Sequence, residues 1–137
     1  MLAEALARMP HGGAMRLIAA IEDADEARIL CRATDHAAPD YPLRLDGILY
    51  AAALVELGAQ AAAAHASVFG MGTAHAGLVL AIGGLELHCD RVEDAGPLRM
   101  AAERLRQLDG SAAYRFAVTQ GAAPLVIGEI LLSMVHA

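Results

Sequence analysis

One carboxylate stands apart in this sequence. Glu56 lies within Ile48–Ala66, a stretch made almost wholly of Ala, Leu, Val, Ile and Gly, with Gln60 the other polar side chain near its middle. An ionisable group among apolar neighbours is costly unless it serves something. Burial disfavours its charged form, which suits a general acid. The same placement also fits a carboxylate tied to a buried Arg or to backbone amides. Gln60 falls one helical turn later on the same face, where it can position Glu56 or a substrate, or make an ordinary structural hydrogen bond. His65, His75, His88 and His136 read as surface or packing residues, and no pair of histidines has metal-ligand spacing, so no metal is expected. Cys31 and Cys89 lack CxxC spacing and read as small apolar side chains.

Such an acid needs a helix to carry it and a wrap to bury it. The apolar run predicts a helix from about Gly47 to Val68, capped by Asp46-Gly47 after a loop, Asp35–Asp46, that contains His36, Pro39 and Pro42. Its length is close to the roughly 20 residues that span a bilayer. Glu56 and Gln60 near its centre argue against a membrane span, because an ionisable group in hydrocarbon costs about 2.5 kcal/mol or more. A helix apolar nearly all round must instead be covered by protein. Strands are predicted at Met15–Ile21, Ala27–Ala33, Gly77–Asp90, Leu98–Leu108, Ser111–Gln120 and Leu125–Val135, after a short helical lead-in over Leu2–Arg8. Asp109-Gly110 is the strongest hairpin signal and predicts a type I′ turn. Gly83-Gly84 predicts a bulge or a close backbone approach. An antiparallel sheet then covers part of the helix, and the apolar surface left over predicts a subunit interface, most simply a two-fold homodimer.

At 137 residues the chain is expected to be one domain, residues 1–137. Hydrophobic residues make up 57% and charged ones 19%, which is enough to bury a core and some interface. A net charge of -6 argues against a general nucleic-acid binder, which needs a basic face. Met1–Pro10 carries no secretory pattern, so a cytoplasmic location is expected.

Three blocks carry a resemblance. Met9-Pro10-His11-Gly12-Gly13-Ala14-Met15 resembles a Pro-His-x-x-x-Met opening. Arg44-Leu45-Asp46-Gly47 followed by Val55-Glu56-Leu57-Gly58-Ala59-Gln60-Ala61 resembles an Asp-Gly turn and a Glu-x-Met-Ala-Gln helix, and Ala76–Leu80 with Glu86 and Asp90-Arg91 forms the third block. Together they resemble the beta-hydroxyacyl-ACP dehydratase superfamily, in particular the 3-hydroxyacyl-ACP dehydratase-like proteins of aryl-polyene clusters. The resemblance implies an α+β hot-dog fold, an antiparallel sheet wrapped around one long central helix. It also implies a syn elimination of water from a 3-hydroxyacyl thioester without a cofactor. One group removes the C2 proton and another protonates the leaving hydroxyl, and a carboxylate and an imidazole suffice.

On that resemblance Glu56 is the catalytic carboxylate and His11 the first choice for the imidazole. Asp46, Gly47, Gln60 and His36 fall to substrate binding, with His36 the second choice as partner of Glu56. Unpaired N–H groups at the helix start would polarise the thioester carbonyl. The expected partners are an acyl carrier protein or coenzyme A thioester and a second subunit, either the same chain or a related hot-dog protein. Neither nucleic acid nor membrane is among them. The chain departs from the pattern in three places: it has no His-Phe-Pro-Gly loop, it has Tyr50-Ala51-Ala52 where relatives carry Pro-Ala-Trp, and it has Ile82-Gly83-Gly84 where they often carry Gly-Thr-Arg. These departures keep two further functions in view, an acyl-thioester hydrolase and an inactive acyl-binding or dimer-partner protein. Arg44, Arg91, Arg99, Arg104 and Arg106 are either a patch for an acidic carrier protein or the solvated faces of strands and loops.

Overall fold

A computed structural model describes residues 15–69 and 74–136. The predicted lead-in over Leu2–Arg8 lies outside them, as does His11. Six strands form one sheet: β1 (Ile18–Ala24), β2 (Arg28–Ala33), β3 (Ala74–Leu87), β4 (Leu98–Leu108), β5 (Ser111–Gln120) and β6 (Ala123–His136). Their order is β1-β2-β4-β5-β6-β3, and every neighbouring pair is antiparallel. A short 3-10 helix, Ala51–Leu54, runs directly into α1 (Val55–Phe69). Among the described residues the architecture is the expected α+β one, one long helix laid against an antiparallel sheet.

The core lies between helix and sheet. Inward residues of β4, β5 and β6, among them Leu98, Met100, Tyr114, Phe116, Val118, Val126, Ile130 and Leu132, pack under Leu57 and the alanines of α1. Gly58 lets the helix come close: a Cβ there would stand 2.3 Å from Phe116 Cδ2. Ala61 to Ala66 are buried consecutively, so the middle of α1 is covered on every side. By length and composition Ala51–Phe69 would suit a membrane span. Here it is a core helix whose polar side chains Gln60 and His65 bond to the rest of the chain.

The leftover apolar surface is on the sheet rather than on the middle of the helix. Edge strand β3 exposes Val79, Leu80, Ile82, Leu85 and Leu87 by 40–55%. The expected bulge in it is present, as a register shift between Gly83 and Glu86 with Gly84 at φ 55°.

Several local expectations need correction. β1 begins at Ile18 rather than Met15, because the Gln60 side chain takes the backbone groups of Met15 and Leu17 that a strand would use. It runs on to Ala24, and Asp25 then closes the turn by accepting from the N–H groups of Ala27 and Arg28 at 2.8 and 3.0 Å. These backbone bonds hold the Asp25 carboxyl below its usual range.

Asp46-Gly47 does not cap the helix. Both residues have positive φ, 52° and 78°, and Leu45 and Ile48 exchange backbone hydrogen bonds across them, which is the type I′ hairpin geometry. The helical segment starts only after Tyr50, which makes no side-chain cap bond. At Asp109-Gly110, where type I′ was expected, Gly110 alone has positive φ, 76°.

Candidate active site

Glu56 falls in the first turn of α1 and is half-buried. The 3-10 turn Ala51–Leu54 runs directly into α1, so Glu56 is the sixth residue of one continuous helical segment. Gln60, one turn on, is buried and donates from Nε2 to Glu56 Oε1 at 3.1 Å. The same Nε2 donates to Met15 O at 2.7 Å, and Gln60 Oε1 accepts from Leu17 N at 2.9 Å. Flipping the amide would set donor against donor at Leu17 and acceptor against acceptor at Met15. Its orientation is therefore fixed, and an N–H always points at Glu56. The segment just after the Pro-His motif is thus bolted to the helix beside the carboxylate.

The helix start is fixed from the other side by the chain after β3. Ala51 N donates to Asp90 O and Val92 N to Leu49 O, each bond closing a strand-like bridge between Tyr50 and Arg91. The Arg91 guanidinium sits 5.5 Å from the Tyr50 ring centroid in cation–π contact and 3.3 Å from Asp90 Oδ2. Ala52 lies exposed at this end of the helix.

His36 is buried in the loop before the helix. Its Nε2 lies 2.8 Å from Gly96 O, which can only accept, so Nε2 carries the ring proton. Its Nδ1 and the Tyr41 hydroxyl are buried without hydrogen-bond partners among the described residues. Burial pushes the Tyr41 phenol up to about 12, against the opposing pull of Arg44. Arg44 organises this loop, donating to His36 O at 2.8 and 3.2 Å and to Gly47 O at 3.0 Å. From sequence Arg44 is either part of a carrier-protein patch or a solvated loop residue, and no local motif signals the bracing role it has here. Asp46 and Gly47 are exposed at the tip of the hairpin that Arg44 braces.

The structure thus brings Glu56 and Gln60 together, and ties His36 to Gly47 through Arg44. Two open clefts of about 310 and 350 Å³ flank Thr34-Asp35. Leu17 and Tyr41 line the first, His36 and Arg32 the second. Leu17 puts the first cleft one hydrogen bond from the Gln60 clamp.

The other arginines do not form one patch. Arg99 pairs with Glu22, while Arg104 donates to Phe69 O at the C-terminus of α1 and to Glu26 O. His65, expected at the surface or in packing, is wholly buried between Tyr114 Oη at 2.7 Å and Asp25 O at 2.8 Å. Burial lowers its pKa.

A long helix laid on an antiparallel sheet is the make-up of the hot-dog fold. The sequence matches the ApeP-like family, described as ApeP dehydratase, over residues 4–134, and the chain belongs to that family. A comparison with curated protein sequences returns no match. Among solved structures the chain is similar to one in the dehydratase heterocomplex ApeI:P of Xenorhabdus doucetiae, with a TM-score of 0.81 and 16% identity over 99% of this chain and 92% of that one. It is also similar to AziG of S. sahachiroi, at TM-score 0.65 and 15% identity over 85% and 90%. A hypothetical thioesterase of Streptococcus pneumoniae, solved with coenzyme A, gives 0.64 and 12% over 85% and 84%. At these identities the structures show the shared fold.

Proposed function

We propose that this chain, as a single domain, dehydrates a 3-hydroxyacyl thioester carried on an acyl carrier protein, giving the trans-2-enoyl thioester. The observation that carries the reading is Glu56 near the start of α1 with Oε1 held by an amide that cannot flip, in a chain of the ApeP-like dehydratase family. Glu56 protonates the departing C3 hydroxyl, while an imidazole takes the C2 proton. His11 is the candidate for that imidazole on the strength of the Pro-His motif, ahead of His36, whose Nε2 proton is engaged by Gly96 O. The reading includes a cytoplasmic setting and needs no cofactor.

The reading also includes a second subunit. β3 is 14 residues long, lies at the sheet edge and exposes apolar side chains, a combination that proteins normally cover. A strand of another hot-dog subunit added along β3 would bury that edge. The ApeI:P neighbour, a heterocomplex, supports a related rather than an identical partner.

The test is to incubate the purified protein, alone and with a related hot-dog subunit, with 3-hydroxyacyl and saturated acyl thioesters on carrier protein and on coenzyme A, and to follow products by mass. Loss of water is the expected result. Release of free acid would replace the reading by a thioesterase, and no turnover in any combination by an acyl-binding partner protein. A Glu56→Gln variant with full activity would refute the site assignment.

A further inference from the structure

The outer face of the sheet carries a row of charges in register. Arg28 on β2 stands opposite Glu103 on β4, Glu103 opposite Arg115 on β5, and Arg115 opposite Glu129 on β6. All four are exposed. Side chains directly opposite one another in an antiparallel pair have Cβ atoms about 5 Å apart, close enough for opposite charges to attract. The signs alternate strand by strand until the row reaches the edge. There Glu129 faces Gly83 of β3, and a Cβ on Gly84 would lie 3.8 Å from Glu129 Oε2. The carboxylate therefore reaches across the bulge toward the free edge, and no ion pair among the described residues draws it back to Arg115.

The apolar edge has its centre at the same place. Val79, Leu80 and Ile82 precede the two glycines, and Leu85 and Leu87 follow them, so residue 83 is midway along the exposed set. A second strand added antiparallel about that point sets glycine against glycine. In a pair of identical chains, two Glu129 residues then face each other across the glycines of two β3 strands, with Arg106 of each chain lining the cleft on the inner side of its own Glu129 rather than between the two carboxylates. Three strand spacings put their Cα atoms about 14 Å apart. Carboxylates leaning inward over the glycines come within roughly the 8 Å Debye length, where like charges still repel. A subunit of the same fold with Lys or Arg at the matching position continues the alternation instead.

We propose that Glu129, held over Gly83-Gly84, selects the partner of this chain: it opposes self-pairing and favours a related hot-dog subunit that presents a basic residue there. This rests on the reading of β3 as the pairing edge. The experiment is sedimentation velocity over a concentration series for the wild type, Glu129→Gln, Glu129→Lys and an equimolar mixture of wild type with Glu129→Lys, with circular dichroism to confirm folding. The mixed pair should be tighter than the wild-type pair by about tenfold at low salt, with Glu129→Gln between them, and the differences should shrink at about 1 M salt. Equal affinities throughout, a wild-type homodimer as tight as the mixed pair, or monomers even in the mixture would overturn it. A Leu80→Asp/Ile82→Asp chain separates the two readings. Association that survives this change refutes β3 as the edge, whereas association lost here beside a flat Glu129 series refutes charge selection alone.

Discussion

Replacing Gly58 by Ala sets two physical effects of opposite sign against each other. In a helix interior Ala is favoured over Gly by about 1 kcal/mol, so local propensity alone predicts stabilisation. The packing predicts the reverse. An added Cβ would stand 2.3, 2.5 and 2.8 Å from three ring atoms of Phe116, whereas carbon atoms rest about 3.5–4.0 Å apart. The ring would have to retreat by roughly 1 Å or more, and it is 1% exposed with its other edge against Gly128, where a Cβ would already stand 3.1 Å from Cε1 and Cζ. Overpacking of this kind costs about 1–3 kcal/mol, and three ring atoms within 3 Å of the new Cβ place it toward the upper end. The net expectation is a loss of about 2 kcal/mol, read from urea unfolding followed by circular dichroism. Phe116→Leu removes the obstructing atoms, so Gly58→Ala should cost less in that background, with a coupling of at least about 1 kcal/mol in the double-mutant cycle. A Gly58→Ala chain as stable as the wild type, with no coupling, would refute the close approach of helix to sheet. Because Gly58 lies two residues from Glu56, that result would also unseat the placement of the carboxylate.

Gln60→Leu should cost about 2–3 kcal/mol in the same urea assay, because Leu17 N–H and Met15 O lose their partners; a loss below about 0.5 kcal/mol would mean the clamp is not formed. Stability should also depend on His65. Burial lowers its folded pKa below 6.5, so its contribution is fully present above pH 6.5 and falls as acid protonates the unfolded chain first, by at most about 1.4 kcal/mol per pH unit. The fall ends once pH drops through the folded pKa, and a His65→Gln chain should lack this component of the urea-midpoint profile. Cys31 is fully buried, with its thiol pushed up to about 12 chiefly by desolvation. Ellman's reagent should therefore titrate the partly exposed Cys89 in the native protein and reach Cys31 only on unfolding.

The strands were legible where alternation was clean. β4 and β5 occupy Leu98–Leu108 and Ser111–Gln120, the bounds their apolar spacing predicts. Asp109-Gly110 joins β4 to β5 as the hairpin its sequence predicts, but Asp46-Gly47 was not legible, because one dipeptide suits both a helix cap and a type I′ turn. At Asp46-Gly47 the reciprocal hydrogen bonds of Leu45 and Ile48 impose the hairpin. The helix start is set elsewhere, by the bonds of Leu49 and Ala51 to the chain at Asp90–Val92. Periodicity along a helix reveals its faces but not which distant backbone will bond to them. His65 shows the same limit, since the partners that bury it lie 40 and 49 residues away.

The candidate site was legible in its parts and hidden in its assembly, for the same reason. Glu56 stands out because an acid in an Ala/Leu stretch is costly, a property of its immediate neighbours. The clamp that fixes it is made by residues 43 and 45 positions from Gln60. Three blocks of sequence, each weak alone, meet at one end of α1. Met15 of the first block bonds to Gln60 of the second, and Asp90 and Arg91 of the third hold Tyr50 and Ala51 at the start of the same helical segment. The helical segment starts at Ala51, so these bonds fix its first turn, and Glu56 follows in the next. On the proposed reading, in which Glu56 exchanges a proton with substrate, the carboxylate must keep one orientation. An amide bonded on both its oxygen and its nitrogen provides this, since it points an N–H at one carboxylate oxygen and makes the two oxygens of Glu56 inequivalent.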